Sequence, residues 1–244
     1  MWNMWEISAL QDNGLPVTCL GKIIYSCKNE YIVESKSLKL YFNSFNMTKM
    51  GETREDVITR LKYFVEKDLT TLLNTEVTLS LFDSEKSWLE SPIDWSALRI
   101  EDKYNPECIE YKANPSLLKV DTSYREKNQI QRLYTTLLKS NCKITSQKDE
   151  GTLFVHYKGK HAIDCSSLLQ YIVSFRDINE FHESTLETIY TTLNNYFKPE
   201  ELMVAALYTR RGGISISPVR ASSSNLLKEL PLIDPKKWTQ TIRQ

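Results

Sequence analysis

Lys+Arg and Asp+Glu number 31 each, so the chain has no net charge, and binding the phosphate backbone of a nucleic acid would need a local patch that the totals hide. The absence of a field points to a small-molecule ligand. No apolar run approaches the roughly 18 residues of a spanning helix, and Met1-Trp2-Asn3-Met4-Trp5 lacks the basic-then-apolar order of a secretory signal. A soluble, cytoplasmic protein with no membrane or nucleic-acid partner is expected. The five cysteines, at 19, 27, 108, 142 and 165, form an odd set without a C-x-x-C pair. No His stands at zinc-ligand spacing either, which argues against both a disulfide framework and a metal site. There is also no G-x-G-x-x-G after a strand and no G-x-x-x-x-G-K-[ST]. A nucleotide cofactor would therefore bind outside the dinucleotide and P-loop folds.

What the chain does contain is a series of short periodic segments, and 244 residues suffice for one large domain or two modules. Trp5–Leu10 and Val17–Cys27 read as strands around an Asn13-Gly14-Leu15-Pro16 turn. Tyr31–Asn43 reads as a third strand, its second half alternating with Leu38, Leu40 and Phe42 on one face. Glu34 and Lys36 share the apolar parity there, so they either pair with each other or face a ligand. Thr53-Arg54-Glu55-Asp56 resembles a capping box opening a helix that carries Ile58, Leu61, Val65, Leu69 and Leu72 on one face and ends near Asn74. Glu76–Phe82 alternates as a half-buried strand. Asp83–Arg125, broken by prolines, reads as a connection, with short strands open around Cys108–Tyr111 and Leu117–Val120.

The second half repeats the theme: Leu133–Leu138, a turn at Cys142, a strand at Thr152–Tyr157 and a helical region from Ser166 to Phe197. Leu202–Thr209 and Gly213–Pro218 then suggest a hairpin around Arg210–Gly213. The pattern predicts an α+β fold in which two tandem modules, 1–125 and 126–220, each carry an antiparallel sheet with helices packed on one face. Residues 221–244 read as a tail docked through Leu226, Leu227 and Leu230.

Three constellations could carry chemistry. Cys142 and Asp149 stand seven residues apart in a turn-rich segment. A thiolate is a nucleophile for soft electrophilic carbon, and a nearby carboxyl can take the proton the thiol loses; a buried cysteine acting as a small hydrophobe is the plain alternative. His182 shares a helical face with Leu186, Ile189 and Leu193, as a core histidine would. Glu183 lies about 100° further round, and its carboxylate suits an N–H and an amino group side by side, as on a guanine-like base. Arg210-Arg211-Gly212-Gly213 joins two fixed positive charges to glycines that admit close approach, which fits either a phosphate or a solvated hairpin turn.

Taken together, Glu34-Ser35-Lys36-Ser37-Leu38-Lys39-Leu40-Tyr41, Ser140-Asn141-Cys142 with Asp149, Phe181-His182-Glu183 and Tyr208-Thr209-Arg210-Arg211-Gly212-Gly213 resemble the NADPH-dependent 7-cyano-7-deazaguanine reductases of queuosine biosynthesis, in their two-module form. The likeness extends to about Arg220. It implies a tandem tunnelling fold, a homodimer, and reduction of a nitrile to a primary amine with two hydrides from NADPH. By motif position, Cys142 would form a covalent thioimide with the nitrile carbon and Asp149 would donate and accept protons. Val33, Glu34, Ser35, His182 and Glu183 would hold the substrate, and Ser35, Lys36, Arg211 and Gly212 would contact the cofactor. Lys148 and Glu150 depart from the Pro and Trp that the family often places around the aspartate. A cysteine-dependent nitrile hydrolase and a non-catalytic purine-binding protein of the same fold are the competing readings; the hydrolase would need a Glu–Lys partnership around the cysteine that the sequence does not offer.

Overall fold

The structure is a computed structural model that describes residues 1–26, 28–82, 96–123, 130–228, 234–236 and 238. The chain runs β1 (Trp2–Leu10), β2 (Pro16–Tyr25), α1 (Ser35–Phe45), α2 (Arg54–Leu73), β3 (Val77–Phe82), β4 (Leu98–Arg99) and β5 (Val120–Asp121). It continues with β6 (Ile130–Asn141), β7 (Lys148–Lys158), β8 (Ala162–Ile163), α3 (Cys165–Val173) and α4 (His182–Phe197). Last come β9 (Glu201–Tyr208), β10 (Ile214–Ile216), β11 (Val219–Ala221) and α5 (Ser224–Lys228). The fold is α+β, and its contacts divide it into two units.

The first unit comprises Met1–Pro92, Arg210–Ile216 and Leu232–Thr239. Its antiparallel sheet has the order β10-β1-β2-β3. Leu38 and Phe42 of α1 and Val57, Leu61, Val65, Leu69 and Leu73 of α2 are buried in one core with Met4, Ile7, Ile23 and Leu79 from the strands. The capping box forms as the sequence predicts: Asp56 N–H donates to Thr53 Oγ1 at 3.1 Å and Thr53 N–H to Asp56 Oδ2 at 3.0 Å. Asn74, at φ 51°, ends α2 in the left-handed conformation. Leu73 takes the buried position expected of Leu72, which is exposed.

Tyr31–Asn43 is not a strand. Ser35–Phe45 is helical because Leu38 and Phe42 are four residues apart, a helical spacing as well as an alternating one, while Leu40 is 60% exposed. Glu34 decides between the two periods. Its carboxylate accepts from Lys36 N–H at 2.8 Å and Ser37 N–H at 2.6 Å, satisfying donors that a helix start leaves open.

The second unit comprises Ile93–Thr209, Ser217–Pro231 and Gln240–Gln244. Its sheet has the order β11-β9-β7-β6-β4, antiparallel except for the short parallel pairing of β4 with β6, and β5 pairs with β8. Leu168, Leu169 and Ile172 of α3 and Leu186, Ile189 and Leu193 of α4 are buried with Leu153, Val155, Val204 and Ala206 of the sheet. The helical region expected from Ser166 to Phe197 is interrupted: α3 gives way to a 3-10 turn at Ser174–Asp177, and α4 begins only at His182.

The hairpin expected around Arg210–Gly213 does not form either. β9 pairs instead with β7 and β11, while β10 pairs with β1 in the register Ile214↔Met4, Ser215↔Asn3 and Ile216↔Trp2. Arg211 N–H donates to Ile214 O at 2.9 Å, so the glycines close a two-residue turn of their own, and Trp5 N–H donates to Gly213 O at 2.7 Å. The contacts therefore divide the chain otherwise than at the expected 125/126 and 220/221 boundaries. Leu226 of the tail is buried on α5, as is Trp238 further on; Cys27, Leu230 and Asp83–Trp95 fall outside the described residues. Among the described residues, no helix is long and apolar enough to cross a membrane, and no group of three or more His, Cys, Asp or Glu side chains could hold a metal ion.

Candidate active site

β6 and β7 end their ladder at Ser140↔Asp149 and Asn141↔Lys148, leaving residues 142–147 as the connecting loop. The loop closes on itself: Cys142 N–H donates to Gln147 O at 2.8 Å and Ser146 N–H to Cys142 O at 2.9 Å, with Ser146 in the left-handed region at φ 53°. The half-buried Cys142 thiol is held below its ordinary pKa. Burial is the largest single influence and pushes it up, as does the Asp149 charge, but the Thr145 hydroxyl and the backbone N–H groups of Thr145 and Ile144 together outweigh them.

Asp149, on β7, is 3% exposed, and its Oδ1 lies 3.0 Å from His182 Nε2. Chain pairing brings this carboxylate and imidazole together: Asn141 N–H donates to Ile178 O at 2.7 Å and Glu180 N–H to Asn141 O at 3.0 Å, so the segment entering α4 runs along the end of β6. The break between α3 and α4 is what makes that zipper, and it sets His182 on the first turn of α4. The imidazole stacks on Tyr208, centroids 3.9 Å apart at 11°. Glu183, half-buried, follows on the same helix. Cys142, Asp149, His182 and Glu183 therefore all belong to one end of the second unit.

The other residues singled out from sequence lie in the first unit. Val33 is buried, and Glu34, Ser35 and Lys36 form the entrance to α1. The Glu34 carboxyl is held below its usual range by the N–H groups of Lys36 and Ser37. With the Ser37 hydroxyl as a third donor, at 2.8 Å, about one of the roughly four lone-pair sites of the carboxylate remains open. Gly212 and Gly213 have φ of 54° and 72°, and Lys39 runs so close that a Cβ on Gly212 would meet its Cδ at 3.2 Å. A cavity of about 530 Å³ opens beside this turn, lined by Lys39, Asn43, Trp5, Glu6, Gly212 and Gly213 among others. Ser35, Lys36 and Arg211 are not among its lining residues. Sequence reasoning gave no role to Thr145 or Tyr208: Thr145 is one more turn residue, and Tyr208 gains its neighbour only through the pairing of β9 with β7.

Residues 1–81 match the family model described as nitrile reductase, 7-cyano-7-deazaguanine-reductase N-term, and residues 148–226 match that of the QueF-like protein. A relative from Acinetobacter baylyi, named NADPH-dependent 7-cyano-7-deazaguanine reductase, is 41% identical over 222 residues, covering 91% of this chain and 78% of its own. This chain belongs to that reductase family. A reductase of the same name from Colwellia psychrerythraea is 36% identical over 255 residues, covering 100% of this chain and 81% of its own. A solved archaeosine synthase QueF-like structure aligns at a TM-score of 0.35 with 16% identity, over 41% of this chain and 96% of its own. That likeness is too slight to bear on the fold, which stands on its own topology. Within the reductase family's two matched segments, the first holds Glu34, Ser35 and Lys36, and the second holds Asp149, His182, Glu183, Arg211 and Gly212.

Proposed function

We propose that this chain reduces the nitrile of 7-cyano-7-deazaguanine to the aminomethyl group with two NADPH, through a covalent thioimide at Cys142, as a step in queuosine biosynthesis. The observation that supports it most is a thiol held below its ordinary pKa close enough to feel the charge of a buried Asp149 that pairs with His182. Asp149 takes the thiol proton and the sulfur attacks the nitrile carbon. A C–S bond forms, one C–N π bond opens, and the nitrogen receives the proton from Asp149. His182, with Nε2 3.0 Å from Asp149 Oδ1, orients the Asp149 carboxylate.

Glu183 pairs with the N–H and amino edge of the base, and His182, Val33, Glu34 and Ser35 complete the substrate contacts by family motif. NADPH, when bound, supplies the hydride for each of the two reductions. The residues at the glycine turn fit its phosphates: Gly212 admits close approach, Lys39 lies against it, and Arg210 and Arg211 add fixed charge. Ser35, Lys36, Arg211 and Gly212 are assigned to the cofactor on the family motif. The enzyme works as a homodimer in the cytoplasm. Product analysis after incubation with the nitrile and NADPH tests the proposal: the amine is expected, a carboxylic acid would mean hydrolysis, and bound but unchanged nitrile would mean a binding protein.

A further inference from the structure

The carboxy-terminal segment of the first unit is held at two points. Lys22, on β2 and fully buried, donates from Nζ to the backbone oxygen of Asp234 at 3.1 Å. Four residues on, Trp238 is 5% exposed and meets Trp5 edge-on, centroids 4.9 Å apart at 84°, and Phe82 at 5.7 Å and 61°. A buried ammonium demands an acceptor, and the indole gains from the edge-on geometry of its two aromatic neighbours beyond simple apolar burial. Trp5 in turn supports the glycine turn twice: its backbone N–H donates to Gly213 O at 2.7 Å, and the Arg210 guanidinium lies over its ring at 4.4 Å. A line of contacts therefore runs from Phe82 through Trp238 and Trp5 to Arg210 and Gly213, while Lys22 holds the same carboxy-terminal segment separately, at Asp234.

We infer that Asp234 and Trp238 act as the two anchors of a strap that positions the Arg210–Gly213 turn through Trp5, and so sets the affinity of the enzyme for its nicotinamide cofactor. The inference rests on the reading that this turn contacts NADPH. Arg210 is exposed, and a guanidinium on a flexible stem is useful for phosphate only where something fixes it. The face of Trp5 fixes Arg210, and the edge contact with Trp238 fixes Trp5 by limiting its rotamers. Trp238 is a positioning residue in this account and touches neither substrate nor cofactor.

The test uses the full chain carrying Trp238→Ala, Trp238→Phe or Lys22→Met, with Arg211→Ala as the reference for a direct cofactor contact. Trp238→Ala should raise KM for NADPH by on the order of three- to tenfold, the size an aromatic pair supports. It should leave kcat within about twofold, and leave unchanged the rate at which Cys142 captures the nitrile without cofactor, followed by intact mass. Trp238→Phe should restore most of the lost affinity, and Lys22→Met, which releases the other end of the strap, should shift KM in the same direction as Trp238→Ala. If Arg211→Ala raises KM but neither strap variant does, the strap inference is wrong and the cofactor reading stands. Equal losses of capture, kcat and affinity in the strap variants would reduce the strap to a folding element and overturn the inference. If Arg211→Ala leaves KM unchanged, the turn does not hold the cofactor and both fall.

Discussion

At Cys142 the competing influences have opposite signs, and their balance leaves the thiol below its ordinary pKa. Burial and the Asp149 charge favour the thiol; the Thr145 hydroxyl and two backbone N–H groups favour the thiolate and prevail. Replacing Thr145 by Val removes one donor to sulfur and raises the thiol pKa. The thiolate form is gained as pH rises, so the rate of alkylation by iodoacetamide should reach its midpoint at a higher pH in the variant than in the parent. An unmoved midpoint would deny Thr145 that role. Glu183→Ala should weaken binding of the base by about ten- to a hundredfold, the value of a hydrogen bond to a charged group, as read by calorimetry with the nitrile. Unchanged affinity would remove Glu183 from the substrate contacts. Cys142, Asp149 and Glu183 were visible in the sequence because their motifs are local, whereas Thr145 was not, being one more turn residue. The Asp149–His182 pair was not, since only the zipper of Asn141 with Ile178 and Glu180 brings the two together.

The elements show where periodicity suffices and where it does not. α2 was legible at its start from the capping box and along most of its apolar stripe, while the last buried position falls at Leu73 instead of Leu72. α1 was misread because Leu38 and Phe42 satisfy both periods, and the choice fell to Glu34, whose capping bonds no hydrophobic pattern reveals. β10 was misplaced for a related reason: a Gly-Gly turn between two apolar runs has the look of a hairpin, yet the edge of β1 provides the partner. The capping box gives a simple measure of how far such local chemistry matters. Thr53→Ala should cost about 1 kcal/mol and lower Tm by a few degrees, roughly 2–4 °C, in calorimetry of the full chain. A Tm unchanged within error would mean that tertiary packing alone fixes the start of α2.

For the molecule as a whole, the contacts form two units that are not successive along the chain. The order of motifs along the chain suggested successive modules, but Arg210–Ile216 and Leu232–Thr239 join the first unit from the far end of the chain. Strand pairing over such separations leaves no periodic trace. The proposed homodimer should sediment at micromolar concentration with about twice 28.4 kDa, and a 28.4 kDa species at all concentrations would remove that assignment. The central claim is covalent nitrile reduction at Cys142. The most direct measurement mixes the protein with 7-cyano-7-deazaguanine, first alone and then with NADPH, while following the intact protein mass and the oxidation of reduced nicotinamide. The account predicts a mass gain equal to the whole nitrile, absent in Cys142→Ala, followed by loss of the adduct with two NADPH consumed per amine. Turnover without a Cys142-dependent adduct, or an adduct that consumes no NADPH, would contradict it.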